Sequence, residues 1–150
     1  MTDYIVYTDG GARGNPGPAG VGASIQDGTG TEIGTVSEYI GEATNNSAEY
    51  AGALLGLKKL KSLIGKNRTR EVTVELRMDS ELVVKQLNGE YQLKEESLHA
   101  PFIALHNIRV SDFPHVTVTH VRREDNARAD QLANEAMDEG GKSKSPASLF

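Results

Sequence analysis

Tyr4-Ile-Val-Tyr-Thr-Asp-Gly-Gly-Ala-Arg-Gly-Asn-Pro-Gly-Pro18 is the stretch around which the rest of the chain is arranged. Alternating β-branched and aromatic residues from Tyr4 to Thr8 predict a strand, and Gly10-Gly11 predict a sharp turn directly after Asp9. A carboxylate then sits at a strand tip. Asp-Gly also closes ordinary hairpins. A two-residue turn, however, needs nothing like Arg13-Gly-Asn-Pro-Gly-Pro18 behind it, whereas a loop whose backbone lies against a ligand does need glycines.

Outward from that stretch, Ala19 to Gln26 reads as a second strand, Gly28-Thr-Gly30 as a turn, and Glu32 to Gly41 as the third strand of a meander. The period then changes. From Ser47 to Ile64, Ala53, Leu57, Leu60 and Ile64 recur at helical spacing, Tyr50 and Leu54 widen the stripe, and Gly65 stops it. Glu49 lies one turn before Ala53 on that inward stripe. A carboxylate there calls for a cation, a hydrogen-bond network or a raised pKa, unless it only complements the helix dipole.

Glu71 to Met78 alternates as a fourth strand and runs into Asp79, after which a short helix extends from Ser80 to Asn88-Gly89. Asp79 or Ser80 can serve as its N-cap. A helix over Ser97–Val110 carries Leu98, Phe102, Leu105 and Ile108 on one side, with Pro101 marking its first turn. Val116 to Val121 is a fifth strand, and Asn126 to Glu139 a last helix with Ala129, Leu132, Ala133, Ala136 and Met137 at core spacing. Asp130 leads the stripe through Ala133 and Met137. One domain over residues 1–139 is expected, and from Gly140 the Ser- and Lys-rich chain reads as a disordered tail.

Short connections among the first three strands predict antiparallel pairing, and helical crossovers before the last two predict parallel pairing. The fold class is therefore α/β, a mixed five-stranded sheet with helices on both faces. Ligands bind such sheets at strand ends near the central crevice. With 150 residues, 37% hydrophobic and 25% charged, the chain can bury a core of its own. Lacking cysteine, it has no disulfide and no thiolate metal site. No stretch reads as a signal peptide or a membrane span, so the cytoplasm is the expected compartment.

A net charge of -5 disfavours a phosphate-rich partner unless carboxylates are neutralised. Lys58, Lys59, Lys61, Lys66, Arg68 and Arg70 cluster along and after one helix, with Arg122 and Arg123 before another, as a solvated face or a phosphate-binding one. Asp9, Glu49, Asp79 and Asp130 each fall at a strand end or an early helical turn. Singly, each has a cheap structural explanation. If they converge, their mutual repulsion is offset most readily by metal ions, and hard oxygen donors select Mg2+ or Mn2+ over zinc.

Tyr-Thr-Asp9-Gly-Gly with Gly14-Asn-Pro-Gly-Pro-Ala-Gly20, then Thr44-Asn-Asn-Ser-Ala-Glu49-Tyr, Met78-Asp79-Ser, and Asn126-Ala-Arg-Ala-Asp130-Gln-Leu-Ala133 together resemble type 1 ribonuclease H. The resemblance runs from Tyr4 to Met137 in family order. It implies a ribonuclease H-like fold and an endonuclease that cuts the RNA strand of RNA/DNA hybrids with two Mg2+, or Mn2+, ions, leaving 5′-phosphate and 3′-hydroxyl ends. Asp9, Glu49, Asp79 and Asp130 are then the catalytic and metal-binding carboxylates, with Asp9 bridging the ions. Gly10, Gly11, Asn15, Thr44, Asn45 and Asn46 are the implied substrate-binding residues, the amides suiting a 2′-hydroxyl that both donates and accepts. No protein partner is implied, and a monomer is expected.

The chain departs from many family members in three places. Leu87 to Ser97 is short and acidic where a basic, Trp-rich insertion is common, Val121 to Asn126 is compact where a His loop is common, and Glu42 stands where an arginine is frequent. These leave the loop's role absent or taken by Glu124, since His120 falls in the strand. Two other readings stay open: a hybrid-binding module that does not cut, and a metal-dependent nuclease acting on another duplex.

Overall fold

The computed structural model describes residues 2–140. Within them the order is β1 (Tyr4–Ala12), β2 (Gly17–Asp27), β3 (Glu32–Ala43), α1 (Asn45–Ile64), β4 (Val74–Met78), α2 (Glu81–Leu87), α3 (His99–Ser111), β5 (Val116–His120) and α4 (Ala127–Gly140). The sheet order is β3-β2-β1-β4-β5. β1, β2 and β3 pair antiparallel, while β1 with β4 and β4 with β5 pair parallel. This is the mixed sheet that the connection lengths predict.

Several boundaries move, each for a local reason. β1 does not stop at Asp9 but continues to Ala12, because Gly10, Gly11 and Ala12 go on pairing with Val21, Gly20 and Ala19. On its other edge the ladder with β4 does end, at Thr8↔Met78. Asp9 is therefore mid-strand toward β2 and a strand tip toward β4. β4 begins at Val74 rather than Glu71, since the preceding residues coil into turns closed by Arg68 N–H to the Gly65 carbonyl and Glu71 N–H to that of Arg68.

α1 starts two residues early, at Asn45, with Thr44 as N-cap accepting from Ser47 N–H. Ser80 rather than Asp79 caps α2, its hydroxyl accepting from Val83 N–H. A 3₁₀ turn over Arg123–Asn126 precedes α4. Gly140, read from sequence as the start of a tail, is the buried last residue of α4. Residues 141–150 lie outside the described residues.

The two faces follow from the period of the strands. A side chain at Gly10 would collide with the Ala48 carbonyl of α1. One at Gly22 would collide with the Ala129 carbonyl of α4. Gly10 pairs with Val21, the neighbour of Gly22, so successive residues point to opposite faces and α1 and α4 lie on opposite sides of the sheet. On the α1 side, Val6, Ile25, Leu57, Leu60, Leu76, Met78, Val83, Leu105 and Phe113 form a fully buried core.

Polar ties fix the helices within that core. The Tyr50 hydroxyl donates to Gln86 Oε1 at 2.8 Å, joining α1 to α2, and burial pushes its pKa to about 12. Part of the basic cluster is likewise structural. Lys61 Nζ lies 2.9 Å from Asp112 Oδ2, and Arg70 Nη1 donates to the Val110 and Ser111 carbonyls at the end of α3. Arg122 pairs with Asp125 at 3.1 Å. Lys58, Lys66 and Arg68 are exposed.

Candidate active site

Asp9 and Asp79 are brought together by the parallel ladder itself. Each follows the last residue through which β1 and β4 pair with each other, Thr8 and Met78, so the two carboxylates stand side by side where that ladder ends. Strands in a sheet lie about 4.8 Å apart, which sets the scale of their separation. Glu49 arrives from above. The absence of a side chain at Gly10 lets α1 sit directly on β1, and that close approach carries Glu49 to Asp9.

Oxygens of Asp9, Glu49 and Asp79 all lie within 4.8 Å of one another. Asp9 is 8% exposed and Glu49 7%. Asp130, from the first turn of α4, lines the same cleft of about 370 Å³ with Gly10, Gly11, Asn45, Asn46 and Ser80.

The electrostatics are those of carboxylates crowded in a dry notch. Burial pushes Asp9 up to about 7, with the charge of Asp79 and the adjoining Asp130 carboxyl adding to the rise. Its contacts with Glu49 and the Gly10 N–H oppose that rise. Burial, followed by the charge of Asp9, raises Glu49 well above the usual carboxylate range. Glu49 Oε2 is buried with no hydrogen-bond partner. A buried acceptor left unsatisfied beside two more carboxylates is a site short of positive charge. An all-oxygen donor set of this kind fits a hard divalent cation.

Of the six residues the resemblance implies for substrate, Gly10, Gly11, Asn45 and Asn46 line the cleft. Asn15 and Thr44 are not part of its lining. The Asn15 Oδ1 accepts from Asn45 N–H at 3.0 Å, and the Thr44 hydroxyl accepts from Ser47 N–H at 3.1 Å. Asn45 Oδ1 in turn accepts from Ala12 N–H at 2.9 Å, which leaves its NH2 group for the cleft. Gly10 has a structural reason of its own, close packing of the β1 backbone against α1.

Five residues at the carboxylates lie outside the site read from the sequence. Ser80, Arg123, Ala133 and Met137 line the cleft, where the sequence reads a helix cap, a solvated or phosphate-binding basic cluster, and two core positions. Asn126 is 2% exposed and donates to both Asp79 Oδ2 and the Thr8 carbonyl, each at 2.9 Å. Its sequence signal is its place at the head of the Asn126-Ala-Arg-Ala-Asp130 motif, one turn before the last carboxylate, where no role is read for it.

The reverse transcriptase-like family profile matches residues 7–136. The chain is 40% identical over 133 residues to ribonuclease HI of Halobacterium salinarum, covering 89% of this chain and 63% of that protein. It spans 36% of the length of the mycobacterial relatives it matches. It is 33% identical over 156 residues to ribonuclease H of Hydrogenovibrio crunogenus, covering 93% of this chain and 98% of that protein. Among solved structures, LC11-RNase H1, isolated from compost by a metagenomic approach, superposes with a TM-score of 0.87 at 45% identity, over 95% of this chain and 100% of that one. That relative has also been solved in complex with an RNA/DNA hybrid. The chain belongs to the reverse transcriptase-like family and, within it, to the type 1 ribonucleases H.

Proposed function

We propose that this chain is an endoribonuclease that hydrolyses the RNA strand of RNA/DNA hybrids by a two-metal-ion mechanism, leaving 5′-phosphate and 3′-hydroxyl ends. The observation that carries the reading is the convergence of Asp9, Glu49 and Asp79 within 4.8 Å around a buried Glu49 oxygen that has no partner. Asp130, in the same cleft, is the fourth ligand of the set. When bound, two Mg2+ or Mn2+ ions would supply a water made nucleophilic near neutral pH and relief of charge on the departing 3′ oxygen.

The rest of the work falls to the chain. The four carboxylates would hold the cations, and so would set where the scissile phosphate is bound. The Asn45 NH2 group, its own carbonyl being engaged by Ala12, is a donor for the 2′-hydroxyl that distinguishes RNA, and Asn46 offers both a donor and an acceptor. Such contacts read sugar and backbone, so cleavage is expected to be largely independent of base sequence. The related LC11-RNase H1 bound to an RNA/DNA hybrid supports the choice of duplex.

The test is to incubate end-labelled RNA/DNA, RNA/RNA and DNA/DNA duplexes with Mg2+ or Mn2+, with Asp9→Asn alongside. Cutting confined to the RNA of the hybrid, and lost in the variant, is the expected result. Hybrid binding without cutting would make the domain a binding module, and equal cutting of DNA would make it a different nuclease.

A further inference from the structure

The carboxylates of the cleft are not equally free. Asp79 Oδ2 accepts a hydrogen bond from the Asn126 side-chain NH2 at 2.9 Å, and the same NH2 donates to the Thr8 carbonyl at 2.9 Å. Facing two acceptors, the amide can point only its NH2 toward them, so its orientation is set by chemistry. Both amide protons are spent there. Asn126 Oδ1, buried on the other side, has no hydrogen-bond partner, so the residue is held in place by its donor side alone.

The position of the residue matters as much as its bonds. Asn126 closes the 3₁₀ turn Arg123–Asn126, and α4 starts at the next residue with Asp130 in its first turn. A single side chain therefore links the last β4-paired residue of β1, the carboxylate just beyond β4, and the start of the helix that carries the fourth carboxylate.

We propose that Asn126 is a positioning residue that holds Oδ2 of Asp79, leaving the other Asp79 oxygen to the cation seat formed with Asp9 and Glu49. This rests on the nuclease reading above. Without the NH2 group, Asp79 loses its fixed rotamer and the spacing between its carboxylate and Asp130 loosens. Partners that orient metal ligands typically alter metal affinity about 10- to 100-fold when removed.

The experiment measures Mg2+ and Mn2+ binding to the free protein by titration calorimetry, for the unsubstituted chain, Asn126→Ala and the near-isosteric Asn126→Asp. A dissociation constant weaker by about tenfold or more is expected for Asn126→Ala. Asn126→Asp also removes the donor but adds a negative charge that attracts the cation, so its loss should be smaller than that of Asn126→Ala. In an Asp79→Asn background, Asn126→Ala should add less than about twofold. A merely structural role would instead leave cation affinity within about twofold in variants that fold, and that result overturns the proposal.

A measurement on the unsubstituted protein stands if the variants do not fold. The Asn126 side-chain amide resonances should shift along the Mg2+ binding curve, because the acceptor they face changes its charge environment, and resonances that stay put overturn the proposal. If the unsubstituted protein binds neither cation and cuts no hybrid, the nuclease reading falls together with this one. If it binds and cuts while the Asn126 variants bind as well as it does, only the role of Asn126 falls.

Discussion

Replacing Asp9 by Asn should stabilise the cation-free protein at alkaline pH while destroying its activity. Burial pushes the Asp9 carboxyl up to about 7 in the folded chain, against about 3.9 for an ordinary aspartate. For an acid whose folded pKa is raised, the bound proton contributes stability that is fully present below the unfolded pKa and is lost as pH rises through the folded one. The loss therefore accumulates between about pH 4 and pH 7. At roughly 1.4 kcal/mol per pH unit it reaches on the order of 4 kcal/mol by pH 8, about 2 at pH 5 and under about 1 at pH 4.

Asn keeps the shape and an acceptor for the Gly10 N–H but carries no charge, so it escapes this loss. In EDTA at pH 8 the variant should unfold at higher urea, or about 8–16 °C higher, and the gap should narrow steadily on acidification. Adding Mg2+ should stabilise the unsubstituted protein and leave the variant little changed, reversing or closing the gap. A variant less stable than its parent at pH 8 in EDTA, or a gap that does not change with pH, would refute the argument that unneutralised charge is what strains this site.

Gly10→Ala should cost at least about 2 kcal/mol in urea denaturation and most of the activity, because its Cβ meets the backbone of Ala48 and α1 must lift off β1. Asn45→Asp keeps the acceptor for Ala12 N–H but loses the NH2 group, so stability should change by less than about 0.5 kcal/mol while hybrid binding weakens about tenfold or more, read by fluorescence anisotropy. EDTA should stop cleavage without altering the far-ultraviolet circular dichroism, since the core of Val6, Leu57, Leu76 and Phe113 is built from apolar burial. A collapse of the signal on chelation would contradict that.

Particular residues show where reading the chain succeeds. Ser47 to Ile64 announces a helix through its apolar stripe and its Gly65 stop, and α1 occupies that span with two further residues at its start. The strand order of the first three elements follows from loop lengths too short for anything but antiparallel pairing. Gly10 is the instructive miss. Its sequence context suggests a turn, yet it lies within a strand, because the reason for glycine there is a helix distant in sequence that presses on the backbone. Asn126 is missed for the same kind of reason: nothing near it in the chain says that its amide faces the carbonyl of Thr8 and the carboxylate of Asp79.

What the amino-acid order determines by itself is local or periodic: which segments are strands and helices, that the sheet is mixed, and that four acidic side chains stand at element ends in the pattern of one nuclease family. Those follow from steric preference and hydrophobic spacing, which act over a turn of helix or a pair of strands. The tertiary structure alone decides that oxygens of three of those carboxylates come within 4.8 Å of one another, and that one Glu49 oxygen among them is buried without a partner. It also decides that Lys61 of α1 pairs with Asp112 and that the Asn126 amide reaches the Asp79 carboxylate. Such facts depend on how closely α1 and α4 approach the sheet from opposite sides. That distance is set by side-chain volumes summed over the whole core, which no single stretch of sequence contains.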